Sequence, residues 1–336
     1  MNIPLMKHLG NMDQIAGIRE SQLLRGRGEQ IHIAEVYNAA GLRFTVVPDR
    51  CMDLYDLSYK GMNLSFQSKN GLVSPQAISA DGNEFTHQWP GGMLVTCGLD
   101  NVGIACSEGG AYPTHGRIAH LPAKTFGTKA GWEGEEYVLR LQGEVHQTQM
   151  YGRHLSLERT IETKLDSKSL TITDRITNFE AEDEPYMLLY HFNFGYPLLQ
   201  GDTKVAVTAK HTRAMVSGSE KYECMTAPSD GQTEMLFLHQ TSGDFGCGVI
   251  YNERLELGAY VAFDTKNLPN MQQWKMMKSH DYVLAFEPCN TWGMNRSDAI
   301  KAGKCATLKA YSSIENKLEL GVLDGLSEIR SFLKNL

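Results

Sequence analysis

A histidine in a strand-like run and a glutamate almost a hundred residues later are the side chains of this chain best suited to chemistry. The first sits in Tyr186-Met187-Leu188-Leu189-Tyr190-His191-Phe192-Asn193-Phe194-Gly195, the second in Leu284-Ala285-Phe286-Glu287-Pro288-Cys289-Asn290. A third run, Pro113-Thr114-His115-Gly116-Arg117-Ile118, precedes both. Two imidazoles, one carboxylate and one guanidinium on β-type sequence suit proton transfer on a polar, uncharged molecule such as a sugar. They suit neither phosphate cradling nor nucleophilic attack.

Each residue has a plainer reading beside the chemical one. His191 shares a strand face with Met187, Leu189 and Asn193, opposite Leu188, Tyr190, Phe192 and Phe194. The aromatic face suits a core between sheets, which leaves His191 and Asn193 to face a cavity or solvent; the alternative is a core histidine bonded to a neighbouring strand. A glutamate at a strand end is ordinarily exposed, but Pro288, Asn290, Trp292, Gly293 and Asn295 follow Glu287 closely. A tryptophan face beside amides suits a pyranose, with its apolar C–H patches and ring of hydroxyls. His115 and Arg117 follow Glu108-Gly109-Gly110, so they belong to a loop entering a strand; Arg117 would orient a hydroxyl or pair with a surface carboxylate. His120 raises a metal question, since two histidines five apart with His191 and Glu287 could ligate zinc, manganese or iron. Their spacing is neither His-x-x-x-His on a helix nor His-x-His, and no metal is expected. Gly91-Gly92 to Gly98 does not have the spacing of a P-loop or dinucleotide fingerprint, and Cys97 has no evident activating partner. Arg50-Cys51-Met52-Asp53 follows a strand and could line a pocket or form a local salt bridge.

The elements that must carry these residues read as strands. Leu155, Leu157, Arg159, Ile161, Thr163 and Leu165 alternate with polar residues, Asp166–Ser169 is turn material, and Leu170, Ile172 and Ile176 resume the alternation, which predicts an antiparallel hairpin. Further strands are expected at 31–37, 42–47, 137–142, 204–208, 248–251, 257–263, 282–286 and 306–311. Pro288 pushes Glu287 toward extended geometry. Helix signal is sparse: Leu323, Leu326, Ile329, Leu333 and Leu336 fit one amphipathic C-terminal helix, and Met12–Leu23 reads as helical or irregular. The expected architecture is all-β and mostly antiparallel, with residues 1–30 as an N-terminal extension packed on a single domain spanning 31–336.

Bulk properties narrow the partners. The chain has 336 residues, 42% of them hydrophobic, enough for a sizeable core. Its net charge of −7 argues against nucleic acid as the main partner. Seven cysteines, an odd number with no Cys-x-x-Cys pair, fit reduced thiols in a cytoplasmic protein. No signal-peptide h-region or membrane-length apolar run is seen, so no membrane partner is expected. The expected partner is a small-molecule sugar; homodimerisation is left open, and no cofactor is expected.

Taken in order, Val47-Pro48-Asp49-Arg50-Cys51-Met52-Asp53, Gly91-Gly92 to Gly98, His115-Gly116-Arg117, Leu189 to Pro197 and Phe286-Glu287-Pro288-Cys289-Asn290 resemble the aldose 1-epimerase (galactose mutarotase-like) superfamily, and within it a poorly characterised branch catalogued as a domain of unknown function. The resemblance implies a β-supersandwich with the sugar on the concave face of a large antiparallel sheet. It implies Glu287 as catalytic base, His191 as catalytic acid and His115 and Arg117 as substrate-binding residues. Arg50, Asp53, Asn193, Asn290 and Trp292 are further substrate-binding candidates. The sequence departs from the pattern at Tyr190, where the family has asparagine before the acid histidine, and no equivalent of its substrate-binding aspartate stands near Asp244. The implied activity is cofactor-free interconversion of sugar anomers. A non-catalytic carbohydrate-binding protein and a metal-dependent sugar or sugar-acid isomerase are the alternatives.

Overall fold

In the computed structural model, which describes residues 3–75, 84–107, 110–216 and 221–336, strands make up 49% of the chain and helix 10%. A five-stranded sheet runs in chain order through Gly17–Gln22, His32–Tyr37, Leu42–Val47, Asp53–Tyr59 and Met62–Asn63. An eight-stranded sheet is ordered Lys204–Val207, Phe245–Asn252, Leu257–Asp264, Ser313–Asp324, Ser169–Asn178, His154–Lys164, Glu136–Thr148 and Thr125–Glu133. A seven-stranded sheet, here the site sheet, is ordered His211–Ala214, Met235–Gln240, Asn270–Lys278, Asp281–Cys289 and Glu184–Phe194, with Leu94–Leu99 and Ala306–Leu308 both paired to the last of these. The strand pairings are antiparallel, as in the expected hairpin, where Ile172 faces Ile161.

One core binds the three sheets. Phe44 and Leu54 come from the first, Leu157, Ile172 and Leu320 from the second, and Tyr190, Phe192, Phe194 and Phe286 from the third. The aromatic face of the His191 strand therefore packs inward, and period-2 alternation turns His191 to the other side. That side has its own apolar bed of Val95, Cys97, Leu189 and Cys289.

Half of residues 12–23, read as helical or irregular, is strand: a short 3-10 turn at Met12–Gln14 leads into Gly17–Gln22, which pairs with His32–Tyr37. Edge pairing outweighs a weak helical pattern here. The C-terminal helix spans Leu326–Lys334, and Leu323 belongs to the strand before it. Asn270–Lys278 was missed as a strand because polar residues stand on both of its faces: Gln272 lies on one, buried Gln273 and Lys275 on the other. The 306–311 strand stops at Leu308. Glu108 and Gly109 lie outside the described residues.

Candidate functional site

Register assembles the site. Leu189 pairs with Cys289 and Phe192 with Phe286, which sets His191 directly across from Glu287. Glu287 in turn pairs with Gln272, and His191 with Val95 on its other side. Facing residues on neighbouring antiparallel strands hold their Cβ atoms about 5 Å apart, and the side chains meet: His191 Nε2 lies 3.1 Å from Glu287 Oε1. Both are almost wholly buried, at 6% and 3% exposure.

His115 reaches the pair from the loop after the Leu94–Leu99 strand, its ring 6.0 Å from that of His191 and nearly perpendicular to it. Aromatic rings wall the cluster. Trp89 and Trp274 stand edge-on to His191 with centroids at 5.5 and 5.6 Å, and Phe85 lies 4.9 Å from His115. Trp274 is fixed by its indole N–H, which donates to Glu234 at 3.1 Å. Trp89 is fixed through its carbonyl, which accepts from Ser68 Oγ at 2.5 Å and Asn70 Nδ2 at 3.0 Å.

Burial dominates the electrostatics. It pushes the Glu287 carboxyl up to about 8, with a further upward push from Glu234. It pulls His191 down to about 3, with His115 adding to the fall and Asn193 opposing it, and it pulls His115 down to about 4. A desolvated carboxyl keeps its proton and a desolvated imidazole loses its own. Around neutral pH the His191–Glu287 pair therefore carries one proton. His191 Nδ1, His115 Nδ1 and Trp89 Nε1 are buried without a hydrogen-bond partner among the described residues, and Glu287 Oε1 meets only His191 Nε2, outside hydrogen-bond geometry. Leaving such an atom unpaired costs about 1–3 kcal/mol, and their clustering leaves donors and acceptors open to a ligand or to water.

The remaining sequence candidates stand elsewhere. Asn193 is fully buried; its Nδ2 donates to the carbonyls of Gly92 and His191, both at 2.9 Å, and braces the backbone, while its Oδ1 has no partner among the described residues. Asn290 accepts from the Leu188 N–H at 2.8 Å and stitches the two site strands. Asp53 belongs to a buried network behind the site sheet: it accepts from Thr96 Oγ1 at 2.6 Å and Arg159 Nη1 at 2.9 Å, while Arg159 also grips Asp174 at 2.7 Å and Tyr190 donates to Asp174 at 2.8 Å. Burial pushes Asp53 up to about 6. Arg50 donates to the Val73 carbonyl and contacts His120 Nδ1 at 3.3 Å, so His120 turns away from His115. Arg117 is bound to Asp100, with Nη1 to Oδ2 at 2.5 Å. Trp292 is half-buried, with Lys304 Nζ 4.8 Å from its ring centre. Among the described residues, no three His, Cys, Asp or Glu side chains converge as metal ligands, and no helix is long and apolar enough to cross a membrane.

Trp89, Trp274 and Phe85 carry no signal in the sequence that marks them as site residues, and Gln272, beside Glu287 in the sheet, has its amide bonded to Thr291. The place of Trp89 directly before Pro90-Gly91-Gly92 comes nearest to a hint; Trp274 follows two glutamines in a run that gives no clean alternation.

The model of a family described as a domain of unknown function, DUF4432, matches residues 28–322. No curated protein sequence matches the chain. Among solved structures, a Klebsiella pneumoniae protein provisionally named aldose 1-epimerase superposes with a TM-score of 0.89 at 21% identity, over 97% of this chain and 89% of that one. A galactose mutarotase-like protein from Clostridium acetobutylicum gives 0.62 at 13% identity, over 93% and 99%. Galactose 1-epimerase from Lactobacillus acidophilus gives 0.58 at 10%, over 92% and 99%. At these identities the likeness establishes the fold, the galactose mutarotase-like β-sandwich expected from the sequence motifs.

Proposed function

The chain belongs to the DUF4432 family, and from that premise we propose that it is an aldose 1-epimerase-type enzyme, interconverting the anomers of a free sugar with Glu287 and His191 as its proton-transfer pair. The observation that carries this reading is the 3.1 Å contact between His191 Nε2 and Glu287 Oε1, inside a cluster of buried, unsatisfied polar atoms.

Anomer exchange requires the O1 hydroxyl to lose a proton while the ring oxygen O5 gains one. The C1–O5 bond opens, rotation about C1–C2 presents the other carbonyl face, and closure reverses both transfers. A pair that carries one proton supplies one donor and one acceptor. In the working form Glu287 is the carboxylate that takes the O1 proton and His191 is the imidazolium that protonates O5. Burial leaves the resting proton on Glu287, so reaching that form needs a shift across the 3.1 Å contact. Sugar hydroxyls bonded to the freed carboxylate oxygen and to His191 Nδ1 favour the shift. Each positioned transfer is worth about 10²–10⁴-fold. His115 would hold a hydroxyl or the developing carbonyl oxygen, and the Trp89 and Trp274 rings offer faces for the sugar's C–H patches.

The near-complete burial of both groups beneath aromatic rings favours one second reading, a sugar-binding protein without turnover. Magnetisation exchange between anomeric protons, recorded for a panel of aldoses, separates the two. Exchange that depends on Glu287 supports the enzyme, whereas binding of an aldose with no exchange supports the binding protein.

A further inference from the structure

Arg117 lies two residues after His115, at the foot of the loop that carries that ring into the site, and its bonds all run back into the protein. Its backbone N–H donates to Asp100 Oδ1 at 3.1 Å, Nη1 to Asp100 Oδ2 at 2.5 Å, and Nη2 to the Ala111 carbonyl at 2.7 Å. Asp100 is fully buried at the end of the Leu94–Leu99 strand and is also approached by Arg153 Nη1 at 3.6 Å. Arg153 and Arg296 both reach Glu184 Oε1, at 3.2 and 3.1 Å, and both lie over the Tyr112 ring. Arg296 also donates to the carbonyls of Asp100 and Pro185. This clamp joins the ends of the Leu94–Leu99 and Glu184–Phe194 strands to the turn before His154–Lys164 and to the short helix Arg296–Lys301.

What the clamp holds is an unusual backbone. His115 is left-handed, at φ 58°, and Gly116 follows at φ 74°. A Cβ at Gly116 would stand 2.2 Å from the Gly98 carbonyl oxygen and 2.5 Å from Asp100 Oδ1, so the loop is pressed against the strand end and against the carboxylate that Arg117 grips. The His115 N–H donates to the Gly103 carbonyl at 2.9 Å and its carbonyl accepts from the Gly98 N–H at 3.0 Å. His115 Nδ1 is left without a partner, so nothing at that nitrogen fixes the imidazole. Its aim follows the backbone that carries it and the Phe85 ring 4.9 Å away.

We propose that Arg117 is a positioning residue: with Asp100 it locks the left-handed loop that presents the His115 ring to His191, and it does not itself touch the sugar. The proposal rests on the anomerisation reading for its kinetic test, and a second measurement is independent of that reading.

The kinetic test is a double-mutant cycle on anomer exchange with Arg117→Gln and His115→Asn. A residue that acts through His115 has nothing left to position once that ring is gone, so the two effects do not multiply. The expected result is a kcat lowered about 10–100-fold by Arg117→Gln, with KM within about two-fold of the parent, and little further loss when the substitution is added to His115→Asn. Arg117→Lys, which keeps the charge on Asp100, should recover part of the rate. A raised KM with kcat kept, or losses that multiply in the double variant, would show Arg117 binding the sugar and overturn the proposal. The second measurement is the NMR signal of the His115 ring in protein labelled at histidine, without any sugar. The signal should move in Arg117→Gln and move less in Arg117→Lys, while that of His32, on the five-stranded sheet, stays in place. An unmoved His115 signal in a folded Arg117→Gln variant overturns the proposal. A moved signal in a protein that exchanges no aldose upholds the positioning role and discards the anomerisation reading alone.

Discussion

The pH profile of anomer exchange tests the one-proton pair most directly. The perturbation is alkaline pH. With the Glu287 carboxyl at about 8 and the His191 ring at about 3, the pair holds one proton across the interval between them and loses it above the upper limit. These belong to the pair as apparent values, whichever atom carries the proton. Around an upper limit near 8, the one-proton form falls from about nine-tenths of molecules at pH ~7 to about one-tenth at pH ~9. The exchange rate should therefore fall about ten-fold over those two units. The assay is saturation transfer between the α and β anomeric protons, with the buffer-catalysed rate measured without protein and subtracted. Glu287→Gln should lower the rate by about 10²–10⁴-fold and abolish the alkaline fall, because no carboxyl remains to titrate. A rate that rises through pH ~8 would refute the argument, since it would mean that the deprotonated pair is the active one and that Glu287 works as a lone base. A plateau ending near the ordinary carboxyl range would equally refute it, since burial would then not govern Glu287.

Trp274→Ala should raise KM for a responsive aldose about ten-fold or more with a smaller change in kcat, because it removes a wall and not a proton carrier; an unchanged KM would remove Trp274 from the site. Glu234 pushes the Glu287 carboxyl upward, so Glu234→Gln should move the alkaline limb to lower pH, and an upward move would contradict the assigned cause. Stability should carry the same signature. The folded-state value of Glu287, about 8 against 4.5 for a free carboxyl, gives a contribution present below 4.5 and lost as pH rises through 8. His191, at about 3 against 6.5, contributes stability above 6.5 that is lost as pH falls through 3. The two oppose each other between 4.5 and 6.5, so urea midpoints should separate parent from Glu287→Gln above that window, with the parent alone losing about 1–2 kcal/mol toward pH ~8. Arg159→Met, which leaves Asp53 and Asp174 buried and uncompensated, should cost about 3–5 kcal/mol in urea unfolding, and a loss below ~1 kcal/mol would show that the network relaxes around the gap.

The sequence by itself determined the β architecture and the side of the strand on which His191 stands. Alternation is a local property: once Tyr190, Phe192 and Phe194 claim the core, the pleat turns His191 outward, and this is readable from adjacent residues alone. The choice of Glu287 rested on local signals too, the proline after it and the polar loop beyond. Which residues meet was decided only by tertiary structure. His191 and Glu287 lie far apart in the chain and touch because Leu189 pairs with Cys289 and Phe192 with Phe286, a register set by the packing of whole sheets. The same register brought in Trp274 from a strand whose buried Gln273 and Lys275 concealed its period. It also withdrew Asn290, Asp53 and Arg117, residues of suitable chemistry whose polar groups are bound to backbone or to buried partners. A side chain's type states which bonds it can make. Only the fold states which are already made, because a buried polar group bonded to backbone or to a buried partner is no longer open to a ligand.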